Sequence, residues 1–152
     1  MISRAAEDYL EAIIEIAKEK GHVRVKDIAV TLSVTPPSVI EMAKKLDEGG
    51  YVNYRKYDGI TLTEEGEKIA RVVRERHEII RSLLEILDVP SRVADEDACV
   101  MEHELHPKTI EQLKNLVNFV RTAPDYPEWL RHFEVFCQTG EHPCKGERGR
   151  KG

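Results

Sequence analysis

Aromatic residues make up only 6% of this 152-residue chain, so any core it forms is packed mainly with aliphatic side chains. No apolar run approaches the roughly 18 residues of a membrane span, which excludes a helix that crosses a bilayer. Met1-Ile2-Ser3-Arg4 leads straight into a charged amphipathic stretch without a signal-peptide core, so the expectation is a cytoplasmic protein. Cysteine is scarce: Cys99, Cys137 and Cys144, odd in number and widely spaced, make no disulfide framework and are expected to stay reduced. Positive charge is not in surplus either. Twenty-three Lys and Arg against twenty-eight Asp and Glu leave a net charge of −5, which excludes a protein that coats itself in nucleic acid by bulk charge. A polyanion partner has to meet a local patch.

What is present is helical periodicity, enough for one compact domain or two small ones. Tyr9, Leu10, Ile13, Ile14 and Ala17 mark a first helix over residues 5–19, stopped by Gly21. Residues 25–32 form a short second helix. Thr35 then caps a third, with Pro36-Pro37 in its first turn and Gly49-Gly50 at its end. Its inward residues are Val39, Met42, Ala43 and Leu46, leaving Pro37, Ser38, Glu41, Lys44 and Lys45 outside. Tyr51–Tyr54 and Ile60–Leu62, joined by a loop containing Asp58-Gly59, read as a hairpin. This order is that of a winged helix-turn-helix, whose third helix enters a major groove while the hairpin flanks it. The same order also suits a small domain that binds protein, because fold alone does not fix function. Residues 25–62 are neutral overall, so phosphate contact depends on Lys44, Lys45, Arg55 and Lys56 sharing a face.

Thr63 opens a long helix with Glu64 and Glu65 in its first turn, and Val89-Pro90 closes it. Asp95-Glu96-Asp97 reads as the start of another helix, running to about Leu105. Pro107 leads into a further one through Val120, and the last spans Tyr126 to Phe136. The chain is therefore expected to be mainly α. An N-terminal winged helix-turn-helix over residues 1–63 precedes an all-helical dimerisation domain over 64–137 and a flexible tail over 138–152. The helical part has more apolar stripes than one chain can bury, so a homodimer is expected, and a two-fold reader matches a palindromic duplex.

Polar residues recur at chelating intervals. If residues 95–105 are helical, Cys99, Glu102 and His103 stand at i, i+3 and i+4 on one face, where sulfur, carboxylate and imidazole together can hold a first-row divalent ion. Asp8 and Glu11 are i, i+3 on the first helix, opposite its apolar stripe, where a solvated face is the ordinary reading. His77 sits within the stripe of the long helix, where a histidine is ordinarily a hydrogen-bonded core residue. Catalysis finds no support. His77-Glu78-Ile79-Ile80-Arg81 misses the zinc-protease pattern at its last residue, and neither paired Glu-x-x-His elements nor a nucleophile elbow occurs. Cys137, Cys144, His132 and His142 fit no zinc template and are left out of the site.

Taken in order, several segments resemble the diphtheria-toxin-repressor family. They are Glu7-Asp8-Tyr9-Leu10-Glu11-Ala12-Ile13, Val25–Ala29, Pro36–Met42, Tyr57–Gly66, Arg76-His77-Glu78 and Cys99-Val100-Met101-Glu102-His103. The acidic pair on the first helix and the short length are most similar to the manganese-transport-regulator branch, over about residues 4–121. The resemblance implies a homodimeric winged-helix repressor of Mn(II) or Fe(II) homeostasis, activated by one or two divalent ions per subunit and bound to palindromic operator DNA.

By the same resemblance, Asp8, Glu11, His77, Glu102 and His103 are metal ligands. Position 99 departs, because manganese-type members carry a carboxylate there and iron-type members carry cysteine. Cys99 beside Asp8 makes a hybrid set: thiolate suits Fe(II), Co(II) or Zn(II), whereas the carboxylates suit Mn(II). Pro36, Pro37 and Ser38 fall at the entry of the recognition helix, and Glu41, Lys44, Arg55 and Lys56 extend the expected DNA-binding set. Like-charged carboxylates on either side of the junction repel until a cation neutralises them, so metal is expected to tie the reader to the dimer core. The alternative is a winged-helix regulator of another ligand, its polar cluster being structural.

Overall fold

A computed structural model describes residues 2–144. Helices α1 (Arg4–Lys20), α2 (Val25–Leu32) and α3 (Pro36–Glu48) are followed by strands β1 (Val52–Arg55) and β2 (Gly59–Leu62), then by α4 (Glu64–Ile86), α5 (Ser91–Met101), α6 (Pro107–Arg121) and α7 (Glu128–Thr139). The Ser3 hydroxyl accepts from the Ala6 N–H at 3.2 Å to start α1, and Gly21 ends it at φ 78° with its N–H on the Ala17 carbonyl. The buried faces of α1 and α3 carry Leu10 and Ile13, and Val39, Ala43 and Leu46, at helical spacing. With Ile28, Val52 and Ile60 they close the core of the head.

The hairpin pairs Val52 with Leu62 and Arg55 with Gly59 in antiparallel register. Gly59 is required there: its φ is +97°, and a Cβ would lie 2.6 Å from the Val23 carbonyl oxygen. That carbonyl accepts from the Ile60 N–H at 2.9 Å and fastens the wing to the segment after α1. Gly66 plays the matching part at the base of the wing, where a Cβ would meet the Tyr51 carbonyl oxygen at 1.9 Å. α4 can therefore start hard against the hairpin, and it packs on α1 of the head as well as on α5 and α6. One long helix is common to both halves.

The helical half differs from expectation in three places. α5 begins at Ser91, four residues early: α4 has already ended at Ile86 and the chain turns through Asp88 at φ 66°, so Pro90 is free to cap the next helix, its carbonyl accepting from the Ala94 N–H at 2.9 Å. The acidic triplet Asp95-Glu96-Asp97 thus lies inside α5. That helix also stops at Met101 rather than near Leu105: Glu102 keeps αR geometry as its cap, and the chain turns before Pro107, whose neighbour His106 is extended. Finally, α7 runs Glu128–Thr139, later than 126–136 at both ends and two residues into the expected tail. Residues 145–152 of that tail lie outside the described residues.

Candidate metal centre and DNA-reading face

The face of α1 opposite its apolar stripe is only half solvated. Asp8 and Glu11 turn toward the α4–α5 pair, where His77 and Glu102 are buried, with Glu102 retaining 1% side-chain exposure. Two groups of ligand atoms result, each drawn within 4.8 Å: Asp8, Glu102 and His103 in one, Glu11, His77 and Glu102 in the other. Glu102 belongs to both. Its Oε1 lies 3.1 Å from His103 Nε2 and its Oε2 lies 2.8 Å from His77 Nδ1, so one carboxylate spans the two groups. Asp8 Oδ1 stands 2.7 Å from the same His103 nitrogen.

Cys99 occupies the rim. Its side chain is exposed, its sulfur is 3.8 Å from His77 Nδ1, and it falls in neither compact group. The early end of α5 explains the divergence, since only Cys99 is on the helix proper while Glu102 caps it and His103 enters the turn. Two carboxylates that sequence reasoning missed complete the cluster. Glu7 Oε2 is 2.7 Å from His103 Nδ1, and Asp95 Oδ1 is 2.7 Å from His77 Nε2. Arg81 approaches that Asp95 at 3.9 Å.

Burial and neighbouring carboxylates together set the titration of the centre. Burial, then the Glu102 charge and a hydrogen bond shared with it, push the Glu11 carboxyl up to about 8, so this acid keeps its proton at neutral pH. The hydrogen bond to Glu102 raises His77 to about 9 against an opposing effect of burial, with Asp95 assisting. Burial first, and then the Glu102 and Asp95 charges, lift the Cys99 thiol to about 12. Such a cluster suits a cation of high charge. Hard carboxylate and borderline imidazole donors fit a divalent first-row ion, and a rim thiol adds a softer donor.

The outer face of α3 exposes Pro36, Pro37, Ser38, Glu41 and Lys44, all of them expected DNA-binding residues. Thr35 Oγ1 and Ser38 Oγ lie 2.9 Å apart at its start, and Glu41 pairs with Lys45 at 3.4 Å. Arg55 and Lys56 are exposed on the wing, with the Lys56 ammonium 5.3 Å from the Tyr57 ring centroid. Arg24 and Lys26, which sequence reasoning did not group with the wing, line one basin with Tyr54, Arg55 and Tyr57. The α2 entry thus adds two cations to the same side of the hairpin.

Comparison with known proteins matches residues 1–60 to the iron dependent repressor N-terminal DNA binding domain, and residues 63–130 to the iron dependent repressor metal binding and dimerisation domain. The chain belongs to the iron-dependent repressor family. Members similar to it include the HTH-type transcriptional regulator MntR of Bacillus subtilis, 39% identical over 78% of this chain and 84% of that one. The MntR of Listeria welshimeri is 38% identical over 89% and 95%. Among solved structures, the manganese regulator SloR superposes with a TM-score of 0.66 at 32% identity, covering 78% of this chain and 56% of SloR. A manganese-dependent transcriptional repressor in complex with manganese gives 0.68 at 26%, covering 75% and 53%. This chain therefore spans little more than half the length of those two structures.

Within this family frame, the two halves matched by separate domains meet where Asp8 and Glu11 face His77, Glu102 and His103. The relatives are named transcriptional regulators, not enzymes. Cys137 and Cys144 join neither ligand group; Cys144 faces His132, its sulfur 2.8 Å from Nδ1.

Proposed function

We propose that this iron-dependent repressor family member is a cytoplasmic, divalent-metal-activated repressor that controls Mn(II) or Fe(II) homeostasis as a homodimer on a palindromic operator. The observation that carries the reading is Glu102, whose two oxygens address separate groups, one completed by Asp8 and the other by Glu11, both from the DNA-reading head. Asp8, Glu11, His77, Glu102 and His103 would hold one or two ions, with Cys99 approaching from the rim. A bound ion supplies the positive charge that these carboxylates lack.

What the chain's own residues do follows from their placement. Glu11 and Asp8 would face a bound cation from α1, and the Glu11 proton, which burial and the Glu102 charge hold in place, would have to leave for its carboxylate to take part. A cation there would add a charged link between α1 and the α4–α5 pair to the hydrogen bonds that already join them, and would so restrict the angle of α3 and the wing. The solved structures named for manganese support Mn(II), whereas the thiol at position 99 favours softer ions.

The test is operator selection from a random duplex pool in Mn(II), followed by gel shifts in buffered Mn(II), Fe(II), Co(II), Zn(II) or chelator, for the native chain and Cys99→Glu. Binding that needs metal, and a change of metal preference in the variant, support the reading. Specific binding that survives chelator overturns it. One observation favours a purely structural cluster: among the described residues no buried side-chain polar atom lacks a hydrogen-bond partner, so the network closes on itself without an ion. The same gel shifts decide between the two.

A further inference from the structure

Each histidine of the centre has both ring nitrogens engaged, and in each case one partner is a carboxylate outside the two ligand groups. Glu7 holds His103 Nδ1 at 2.7 Å, while His103 Nε2 faces Asp8 and Glu102. Asp95 holds His77 Nε2 at 2.7 Å, while His77 Nδ1 faces Glu102 and, at 3.8 Å, the Cys99 sulfur. The in-plane lone pairs of an imidazole diverge, so a group on one nitrogen lies outside the space that an ion on the other occupies. A neutral imidazole has one N–H and one lone pair, and the hydrogen bond made by the N–H decides which nitrogen is left for a metal.

We infer that Glu7 and Asp95 are positioning residues that fix opposite tautomers of the two histidines, presenting His103 through Nε2 and His77 through Nδ1 to a divalent ion. Both carboxylates come from the elements that the ion would join. Glu7 is adjacent to Asp8 on α1, so the head supplies one neighbour at each nitrogen of the His103 ring, beside Glu102 at Nε2. Asp95 lies four residues before Cys99 and seven before Glu102 on the face of α5 that meets α4, so it reaches the far side of His77 from the same helix. Arg81, one turn beyond His77 on α4, stands 3.9 Å from Asp95 and restrains it in turn. Carboxylates that hold the second nitrogen of a metal-bound histidine fix ring orientation and raise its basicity, and their loss typically costs about 10–100-fold in metal affinity.

The inference rests on the metal-activated reading, and the experiment separates the two. Affinity for Mn(II) is measured by titration calorimetry on the full chain as its dimer, for the native protein and for Glu7→Ala, Asp95→Ala, Glu7→Gln and Asp95→Asn. Zn(II)-loaded samples labelled with nitrogen-15 at histidine report the tautomers by long-range NMR correlation. The Ala variants are expected to bind about 10–100-fold more weakly. The Gln and Asn variants, which still offer a carbonyl acceptor, are expected to fall between. His103 should carry its proton on Nδ1 and His77 on Nε2 in the native protein, each losing that preference when its own carboxylate is replaced by alanine. Affinities within twofold of native in both Ala variants, or a tautomer pattern reversed from this one, overturn the inference while leaving metal activation intact. A native chain that binds no Mn(II) overturns the reading beneath it.

Discussion

Among the described residues, the head buries fifteen apolar residues in a single cluster that runs from Ala6 to Ala70, whereas the helical half closes a cluster of only Ile79, Ile80, Ala98 and Ile110. Exposure runs the other way. Of the large apolar side chains left in solvent among the described residues, only Val30 and Tyr57 belong to the head; the rest lie from Val72 onward. A unit that folds around its own core can be moved as a rigid piece, and one that leaves its apolar surface open needs a second copy. The cluster of Asp8, Glu11, His77 and Glu102 stands between the two. On the metal-activated reading proposed above, an ion held there would change how a finished reader sits on the half that leaves its apolar surface open.

Removing the residue that belongs to both groups should break that relation most severely. Glu102→Gln is expected to bring operator binding in Mn(II) down to the chelator level, a loss of about 5–150-fold if the coupling has the usual size for linked sites. Asp8→Asn disables one group and should cost less, as read by gel shifts across a Mn(II) series. If Glu102→Gln kept full metal activation, the seam would not be where metal acts. Next in size is the open face. Val93 and Val100 lie seven residues apart on α5, opposite the buried Ala94 and Ala98, with 42% and 55% of their surface exposed. Val100→Glu should weaken the dimer at least about tenfold, since desolvating a carboxylate exceeds the roughly 1.4 kcal/mol that a factor of ten requires. Val30→Glu in the head, at a side chain that is 80% exposed, should leave dimerisation alone. Sedimentation equilibrium on both variants checks the contrast.

Acid and alkali should separate the regions as well. In the head, the hydrogen bond from Lys20 holds the Asp27 carboxyl below its ordinary value, so its contribution is present above the unfolded pKa and is lost as pH falls. At the seam the direction reverses. His77, raised to about 9, gives stability that is full below the unfolded value of 6.5 and is lost as pH rises through 9. Glu11, raised from 4.5 to about 8, makes the folded state the tighter binder of a proton, so stability again falls as pH rises between those values. The metal-free protein should therefore melt at a lower temperature at pH 9 than at pH 6. Saturating Mn(II), which has already displaced these protons, should remove or invert that slope. Calorimetric scans at both pH values, with chelator and with metal, measure it.

Periodicity made the helices of the head legible, because an apolar face repeating every three or four residues is buried as a face: Leu10 and Ile13, and Val39, Ala43 and Leu46, all lie inside. The start of α5 was not legible in the same way. Asp95-Glu96-Asp97 imitates the acidic first turn of a helix, while Pro90, read as a stop, is the cap that starts α5. The centre was less legible still. Asp8 and Glu11 form a polar stripe that spacing alone assigns to solvent, since nothing local says that another polar surface covers it; only the resemblance singled them out. Glu7 and Asp95 escaped because their partners are the second nitrogens of histidines 96 and 18 residues away in sequence.

The smallest expected effect concerns the wing, and it sharpens the division between reading and switching. Arg55 and Lys56 are exposed on the hairpin, and Arg24 shares the adjoining basin, far from any ligand of the centre in chain order. Cations so placed can neutralise phosphates but have no reason to alter metal affinity or the dimer. Each phosphate contact releases condensed counterions, contributing about 0.9 to the slope of log affinity against log salt. Lys56→Ala and Arg24→Ala should therefore each weaken binding only a few fold, by about the same factor on operator and on scrambled duplex, and lower the salt slope by about one. The Mn(II) concentration for half-activation should stay where it was. Titrations of both duplexes from low to moderate NaCl test this directly: an unchanged salt slope would mean that the wing does not touch the backbone, and a shifted Mn(II) midpoint would mean that head and seam are not separate devices.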